Sequence, residues 1–340
     1  MSQASAPRRD RPLPEQQQRL LRRAERLAWW TIGLLGGVAV LMYLAMGSSQ
    51  AMKTAWVEDV LSLVAPASFL VAARFSRKPA DEEYLNGRNR AFDINFLVAA
   101  VALTGVGLFL VYESLAALVS REHPTIGAFV FGGHVVWMGW VMIAVLVVSV
   151  IPPVVLGRMK LKLAEELHLK PLQTDADTNK ADWMTGLTGV AGIVGIGFGL
   201  WWADAAAALL ISASVLKDGL GNLKHAVRDL HDARPETTDR KQGDPLVGRV
   251  HTAVSALEWV DRCDVRLHEE GPRLCGLVIV SPRDGRALAT RLAEAQRVAR
   301  EVHWRMDEVV ATFEGATEDP DSRPRAEPQP VGVRASRTRT

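Results

Sequence analysis

Cysteine is nearly absent from this 340-residue chain, and the two that occur, Cys263 and Cys275, both lie in its polar C-terminal part. No CxxC pair and no zinc-module spacing is present, so neither a disulfide framework nor a cysteine-built zinc site is indicated. Net charge is lacking too. Lys and Arg number 40 against 38 Asp and Glu, and a formal charge of +2 gives no reason to expect nucleic-acid binding. No His, Ser or Cys constellation has a catalytic spacing, so an enzyme is not expected. The N-terminus lacks a signal-peptide pattern, because its first apolar run starts near Leu27 and further runs follow at once.

What is abundant is apolar surface, 48% of residues, concentrated between about Leu27 and Gly221. A bilayer is crossed by roughly 20 apolar residues in a helix, whose backbone hydrogen bonds are satisfied internally. Six segments qualify: Leu27 to Gly47, Thr54 to Ala73, Ile94 to Val119, Ile126 to Leu156, Ala181 to Leu200 and Trp202 to Leu220. The second scores weakly in hydropathy because it carries Glu58 and Asp59, but Val60 to Ala73 is apolar.

The basic residues test this count. Arg8 to Arg26 precede the first span, Arg74 to Arg90 follow the second, and Arg158 to Lys170 follow the fourth, while the intervening loops hold only Lys53 and Arg121. Alternation of this kind fits six spans with both termini cytoplasmic. Trp29, Trp30, Trp56, Trp183, Trp201 and Trp202 fall near span ends as interfacial anchors. Pro152-Pro153 should break the fourth span, and Gly192, Gly195, Gly197 and Gly199 should allow close helix approach in the fifth.

After His225 the composition turns soluble. Helix over Pro245–Ala256, strands over Asp264–His268 and Leu274–Val280, helix over Arg286–His303 and a strand over Glu308–Phe313 give the order αββαβ, a small α+β sandwich. The domains expected are a basic cytoplasmic segment over 1–26, a six-helix transmembrane domain over 27–222, a cytoplasmic α+β domain over 235–314 and a disordered tail over 315–340.

Ionisable groups within a span cost on the order of 2.5–3.5 kcal/mol on insertion scales, so each is a functional candidate. Glu58 and Ser62 share a helix face, with Asp59 about 100° round. Asp175, Asp177, Asn179 and Asp182 form an oxygen-rich cluster, with Thr178 and Asp182 four apart. Carboxylates from two facing helices suit a divalent cation. Asp175 and Asp177 read equally as helix N-caps, Lys180 as an ion-pair partner or interfacial anchor, His134 and Glu113 as groups satisfied by neighbouring helices, and Asp204 as a cap.

The arrangement resembles the cation diffusion facilitator family. The resemblance rests on the Gly47-Ser48-Ser49 turn before an acidic span, the stretch Arg74-Phe75-Ser76-Arg77-Lys78-Pro79-Ala80-Asp81 after it, and Ala181-Asp182 followed by Trp202-Ala203-Asp204. It implies export of a divalent metal cation from the cytoplasm in exchange for protons, by a homodimer joined through a ferredoxin-like cytoplasmic domain, and the lack of a targeting segment fits a plasma (inner) membrane. It also implies paired ligands in spans two and five, which align with Glu58 and Ser62 and with Thr178 and Asp182; Asp59 and Asp177, one residue off, are stand-ins. Only two of the four positions hold an acid, and both histidines of a zinc-selective site are missing. An oxygen site favours Mn²⁺, Mg²⁺ or Fe²⁺, although the transported metal stays open among these, Zn²⁺ and Co²⁺. The family's loop site keeps Asp81 but has Tyr84 and Arg88 where histidines belong, and the C-terminal domain offers only Cys263 and His268, so no resident metal or cofactor is expected. The other reading is a membrane scaffold or metal sensor that keeps the fold without transporting.

Overall fold

Proline and glycine decide where the apolar segments bend and how closely they pack. In the computed structural model, which describes residues 13–121, 124–131 and 134–314, the chain forms six long helical rods followed by a small sheet. Helix α1 spans Glu15–Ala45. The second rod is α2 (Gln50–Ser62) and α3 (Val64–Ser76), interrupted at Leu63 because Pro66 cannot donate to the carbonyl of Ser62. Next come α4 (Ala91–Val119) and a hairpin of β1 (Ala128–Phe131) and β2 (His134–Trp137). The fourth rod is α5 (Met138–Ser149) and α6 (Ile151–Leu167), divided at Val150 ahead of Pro152-Pro153. Two further helices, α7 (Lys170–Gly197) and α8 (Ala203–Leu230), complete the bundle.

Four rods are long and apolar enough to cross a membrane: α1, α2 with α3, α4, and α5 with α6. The helices α7 and α8 are 28 residues each and more polar.

Several boundaries differ from those read in the sequence. Helix α1 starts within the basic segment, so Arg19, Arg22, Arg23 and Arg26 lie on a continuous helix; hydropathy marks where apolar residues begin, not where the helix does. Residues 128–131 and 134–137 of the fourth apolar segment pair as strands, and helix begins only at Met138. Helix α7 begins at Lys170 rather than near Ala181, which places Asp175 and Asp177 inside it and removes their N-cap role. Residues 1–12, the tail over 315–340, and the side chains of His134 and Lys180 lie outside what is described.

The bundle core forms two clusters. Leu20, Leu21 and Ala24 of α1 meet Phe69 of α3, Phe92 of α4 and Leu167 of α6, while Met42, Met52, Met142 and Ile193 join α1, α2, α5 and α7. Helices α4 and α8 pack so closely that a Cβ on Gly219 would stand 2.8 Å from the backbone nitrogen of Thr104, and one on Gly107 2.9 Å from the Cα of Leu216.

The C-terminal part contains α9 (Pro245–Ser255), β3 (Val260–Glu270), β4 (Arg273–Pro282), α10 (Leu288–Glu301) and β5 (Met306–Phe313). Strand β4 lies in the middle, antiparallel to β3 and parallel to β5. Leu246, Val250 and Val254 of α9 and Ala295 and Ala299 of α10 cover one face of this sheet. Arg305, 1% exposed, staples the domain by bonding Asp244 (2.5 Å), Glu269 (2.9 Å) and the carbonyl of Pro272 (3.0 Å).

Three substitutions test this packing. Gly219→Val should separate α4 from α8 and cost about 1–3 kcal/mol in thermal unfolding of the detergent-solubilised protein. Gly221→Val, which meets nothing within 4 Å, should leave the transition unmoved. Arg305→Ala takes the buried guanidinium from Asp244 Oδ2 and leaves Glu269 with Lys170 alone, and should cost about 3–5 kcal/mol, read as faster amide exchange in β3 and β5.

Candidate functional site

Helix α2 carries the acids of the second rod, and another acid places it. Asp204, fully buried in the first turn of α8, accepts hydrogen bonds from the Ser49 hydroxyl (2.7 Å) and from the backbone N–H groups of Gln50 (2.5 Å) and Ala51 (3.3 Å). It is a cap, but for α2 rather than for its own helix. From that fixed end, helical phase sets Glu58 and Ser62 on one face, and Thr185 of α7 donates to Glu58 Oε1 at 3.3 Å.

Glu58 stands at the junction of two cavities. One, of about 10 Å³, is lined by Glu58 and Asp59 of α2, Asp182 and Thr185 of α7, and Ser149 and Pro153 at the α5–α6 break. That is the scale of one water or one unhydrated ion. The other, of about 90 Å³, is lined by Glu58, Ser62, Asp175, Thr178, Asp218 and Asn222 among others. A third, of about 300 Å³, shares Thr174, Thr178, Asp218 and Asn222 with it and reaches Asp177, His225, Asp239 and Arg240 beside the C-terminal part.

The acids differ in how they are satisfied. Asp175 is paired with Lys160 at 2.6 Å, and both side chains are buried. Asp177 accepts from Gln173 at 3.1 Å and lines only the outer cavity, so it is not brought to Glu58. Glu113 is paired with Lys53. By contrast, Glu58 Oε2 and Asp59 Oδ2 are buried with no hydrogen-bond partner among the described residues. Asp59, Asp182 and Asp218 lie within Coulombic range of Glu58. Among the described residues, no three His, Cys, Asp or Glu side chains already converge as a metal cluster.

Asp218 and Asn222 are additions that the sequence reading passed over. Asp218 is an ionisable residue within the sixth apolar segment, and that property marks it.

The other expected positions are otherwise engaged. In the loop after α3, Arg88 pairs with Asp81 at 2.5 Å and stacks on Tyr84 at 4.1 Å, so a guanidinium stands beside the one acid there. That contact holds the Asp81 carboxyl below its usual range. Cys263 and His268 sit five apart on β3 and therefore on opposite faces: Cys263 packs on the core, and His268 lies 3.5 Å from Glu270. Hydrogen bonding to Glu270 raises the His268 pKa.

A family model described as the cation efflux transmembrane domain matches residues 27–231. The chain is 25% identical over 187 residues to the manganese efflux system protein MneS of Bacillus subtilis (strain 168), covering 54% of this chain and 59% of that protein. It is 24% identical over 224 residues to the cation-efflux pump FieF of Salmonella paratyphi A, covering 64% of this chain and 63% of the pump. The FieF pump of Yersinia pestis (strain Pestoides F) is 25% identical over 223 residues, 63% of each chain. The matched stretch thus spans about three fifths of the length of these relatives. The family match takes in more than half of the chain, from within α1 to the end of α8, and the chain belongs to the cation efflux family, a family of membrane transporters rather than enzymes.

Proposed function

We propose that the protein exports a divalent metal cation from the cytoplasm by exchange for protons, with Glu58 and Asp182 as the central ligands. The observation that carries this reading is the pair of buried oxygens on Glu58 and Asp59 without partners among the described residues, beside Asp182, while Asp175, Glu113 and Asp204 already have donors. A cation entering between α2 and α7 would satisfy those oxygens and draw the carboxylates together, with Asp59, Ser62 and Thr178 completing the shell. Asp218 lies on the walls of both the 90 Å³ and the 300 Å³ cavities, and we assign it to capture on the cytoplasmic side. Asp177 is assigned to the outer mouth rather than to the central site.

Protons compete for the same carboxylates, because a metal ligand must be deprotonated. That competition, with alternating access, gives antiport. The donor set is carboxylate and hydroxyl oxygen, which suits Mn²⁺, Fe²⁺ or Mg²⁺ better than Zn²⁺, and the name of the Bacillus relative supports manganese. The proposal includes six spans with both termini cytoplasmic, a plasma (inner) membrane location, and a homodimer formed through the C-terminal domain. The exposed register partners Leu277 and Val310 on the sheet support that last element.

A second reading, a scaffold or sensor of the same fold, is favoured by the lack of a converged ligand cluster among the described residues. Transport separates the two. The protein reconstituted with an imposed pH gradient should move Mn²⁺, Fe²⁺ or Mg²⁺ in preference to Zn²⁺ and Co²⁺. Glu58→Gln and Asp182→Asn should each slow uptake at least about tenfold while the protein still inserts and melts normally. Asp218→Asn should raise the concentration for half-maximal uptake with less change in the maximal rate. Undiminished transport in Asp182→Asn removes the site assignment; no movement of any ion by a folded protein makes the scaffold the better account.

A further inference from the structure

Away from the acids, the first turns of α1, the loop between α3 and α4 and the edge of the C-terminal domain enclose a cavity of about 580 Å³. That volume lies in the range of small-molecule sites, roughly 300–1,000 Å³. Five cations line it, Arg22, Arg77, Lys78, Arg88 and Arg273, against one acid, Asp307.

Three of the cations have acidic partners: Arg77 with Glu25 at 2.5 Å, Arg88 with Asp81 at 2.5 Å and Arg273 with Asp307 at 2.7 Å. Arg22 and Lys78 have none among the described residues; the Lys78 ammonium sits 5.1 Å from the centre of the Phe75 ring. Two uncompensated positive charges therefore face a concave space, where low-dielectric walls concentrate their field.

The remaining lining is apolar. Leu21, Phe92, Leu167 and Leu169 of the bundle core form one side, and Trp304 of the C-terminal domain contributes an indole. Gln17, on the same wall, keeps a buried Oε1 with no partner among the described residues. Cationic groups over an apolar floor select an amphiphilic anion rather than a bare inorganic ion.

We propose that this cavity binds a phosphate-bearing ligand with an apolar or aromatic portion, held by Arg22 and Lys78 and bridging the helix bundle to the C-terminal domain. A phosphate monoester such as that of a nucleotide carries about −1.5 to −2 charges at neutral pH, close to the two positive charges left over here, and a lipid phosphodiester carries a single one, which they also neutralise. The Arg22 guanidinium suits two phosphate oxygens at once, and Lys78 adds a mobile point charge. The same chemistry is offered by the headgroup of an anionic phospholipid and by a soluble nucleotide. The site takes no part in the cation path and stands whether or not that path is assigned correctly.

The test uses the full-length protein, delipidated in a neutral detergent. Native mass spectrometry measures binding of dioleoylphosphatidylglycerol against dioleoylphosphatidylcholine, and calorimetry measures binding of AMP. Each is repeated on Arg22→Gln/Lys78→Gln and on Arg158→Gln/Lys162→Gln, which removes the same charge from exposed positions of α6. Neither double variant breaks an ion pair among the described residues, and matching melting temperatures establish that both are folded. Phosphatidylglycerol binding weakened at least about tenfold in the cavity variant alone identifies a lipid phosphate; AMP binding with that dependence identifies a soluble one. Equal binding by the cavity variant and the native chain, equal losses in both variants, or no binding of either probe overturns the proposal.

Discussion

A carboxylate inside an apolar helix bundle needs a donor, a cation or a proton, and that constraint organises this molecule. Asp175 has the buried ammonium of Lys160, Glu113 has Lys53, and Asp204 has one hydroxyl and two backbone N–H groups. Each of these acids thereby becomes structural. Asp204 does the most, because by capping α2 from α8 it fixes the phase in which Glu58, Asp59 and Ser62 leave the helix. What remains is a pair of carboxylates on α2, each with one buried oxygen that no donor among the described residues satisfies.

Helix breaks add to that chemistry. Pro66 cannot donate to the carbonyl of Ser62, nor Pro153 to that of Ser149, and Ser62 and Ser149 line the two cavities that meet at Glu58. Both breaks lie at the level where α2 and α7 approach. Polar backbone at depth is tolerated where it borders a cavity, and discontinuous helices are a recurrent way for transport proteins to present carbonyl oxygen to a cation. A site short of histidines can in this way still be rich in hard oxygen donors.

The sequence reveals the rods but not their ends. Apolar runs locate each rod, yet α1 extends back to Glu15 and α7 to Lys170, because helix formation outside the hydrocarbon depends on packing and not on hydropathy. The C-terminal order αββαβ was readable because strand and helix periods differ there by burial on one face. Within the site, Glu58 and Asp182 were visible as charges in apolar spans. Distance decided what was not visible. Asp175 looks like a ligand until Lys160 is placed 2.6 Å away, fifteen residues earlier in the chain, and Asp177 drops out because it points to the outer cavity. Asp218 carries the same signal as Glu58, an ionisable group within an apolar segment.

The C-terminal domain is tied to the helix that bears Thr178 and Asp182. Lys170 opens α7 and is buried against Glu269 of β3, with Asp229 of α8 at 3.9 Å, while Arg305 holds the same Glu269 from the β5 side. A lysine at a helix N-terminus opposes the helix dipole, so its position there depends on those carboxylates. On the other side, Arg90 at the start of α4 reaches Asp232 at 2.7 Å and Glu270 at 3.3 Å, and the turn after β3 bonds Asp93 through the N–H of Gly271. That turn needs glycine, since its φ is +57° and a Cβ would stand 3.0 Å from the carbonyl oxygen of Asn89. Strand β3 thus grips α4 and α7 through adjacent residues. A shift of the sheet relative to the bundle must either break buried ion pairs or move α7, and moving α7 changes the distance between Asp182 and Glu58.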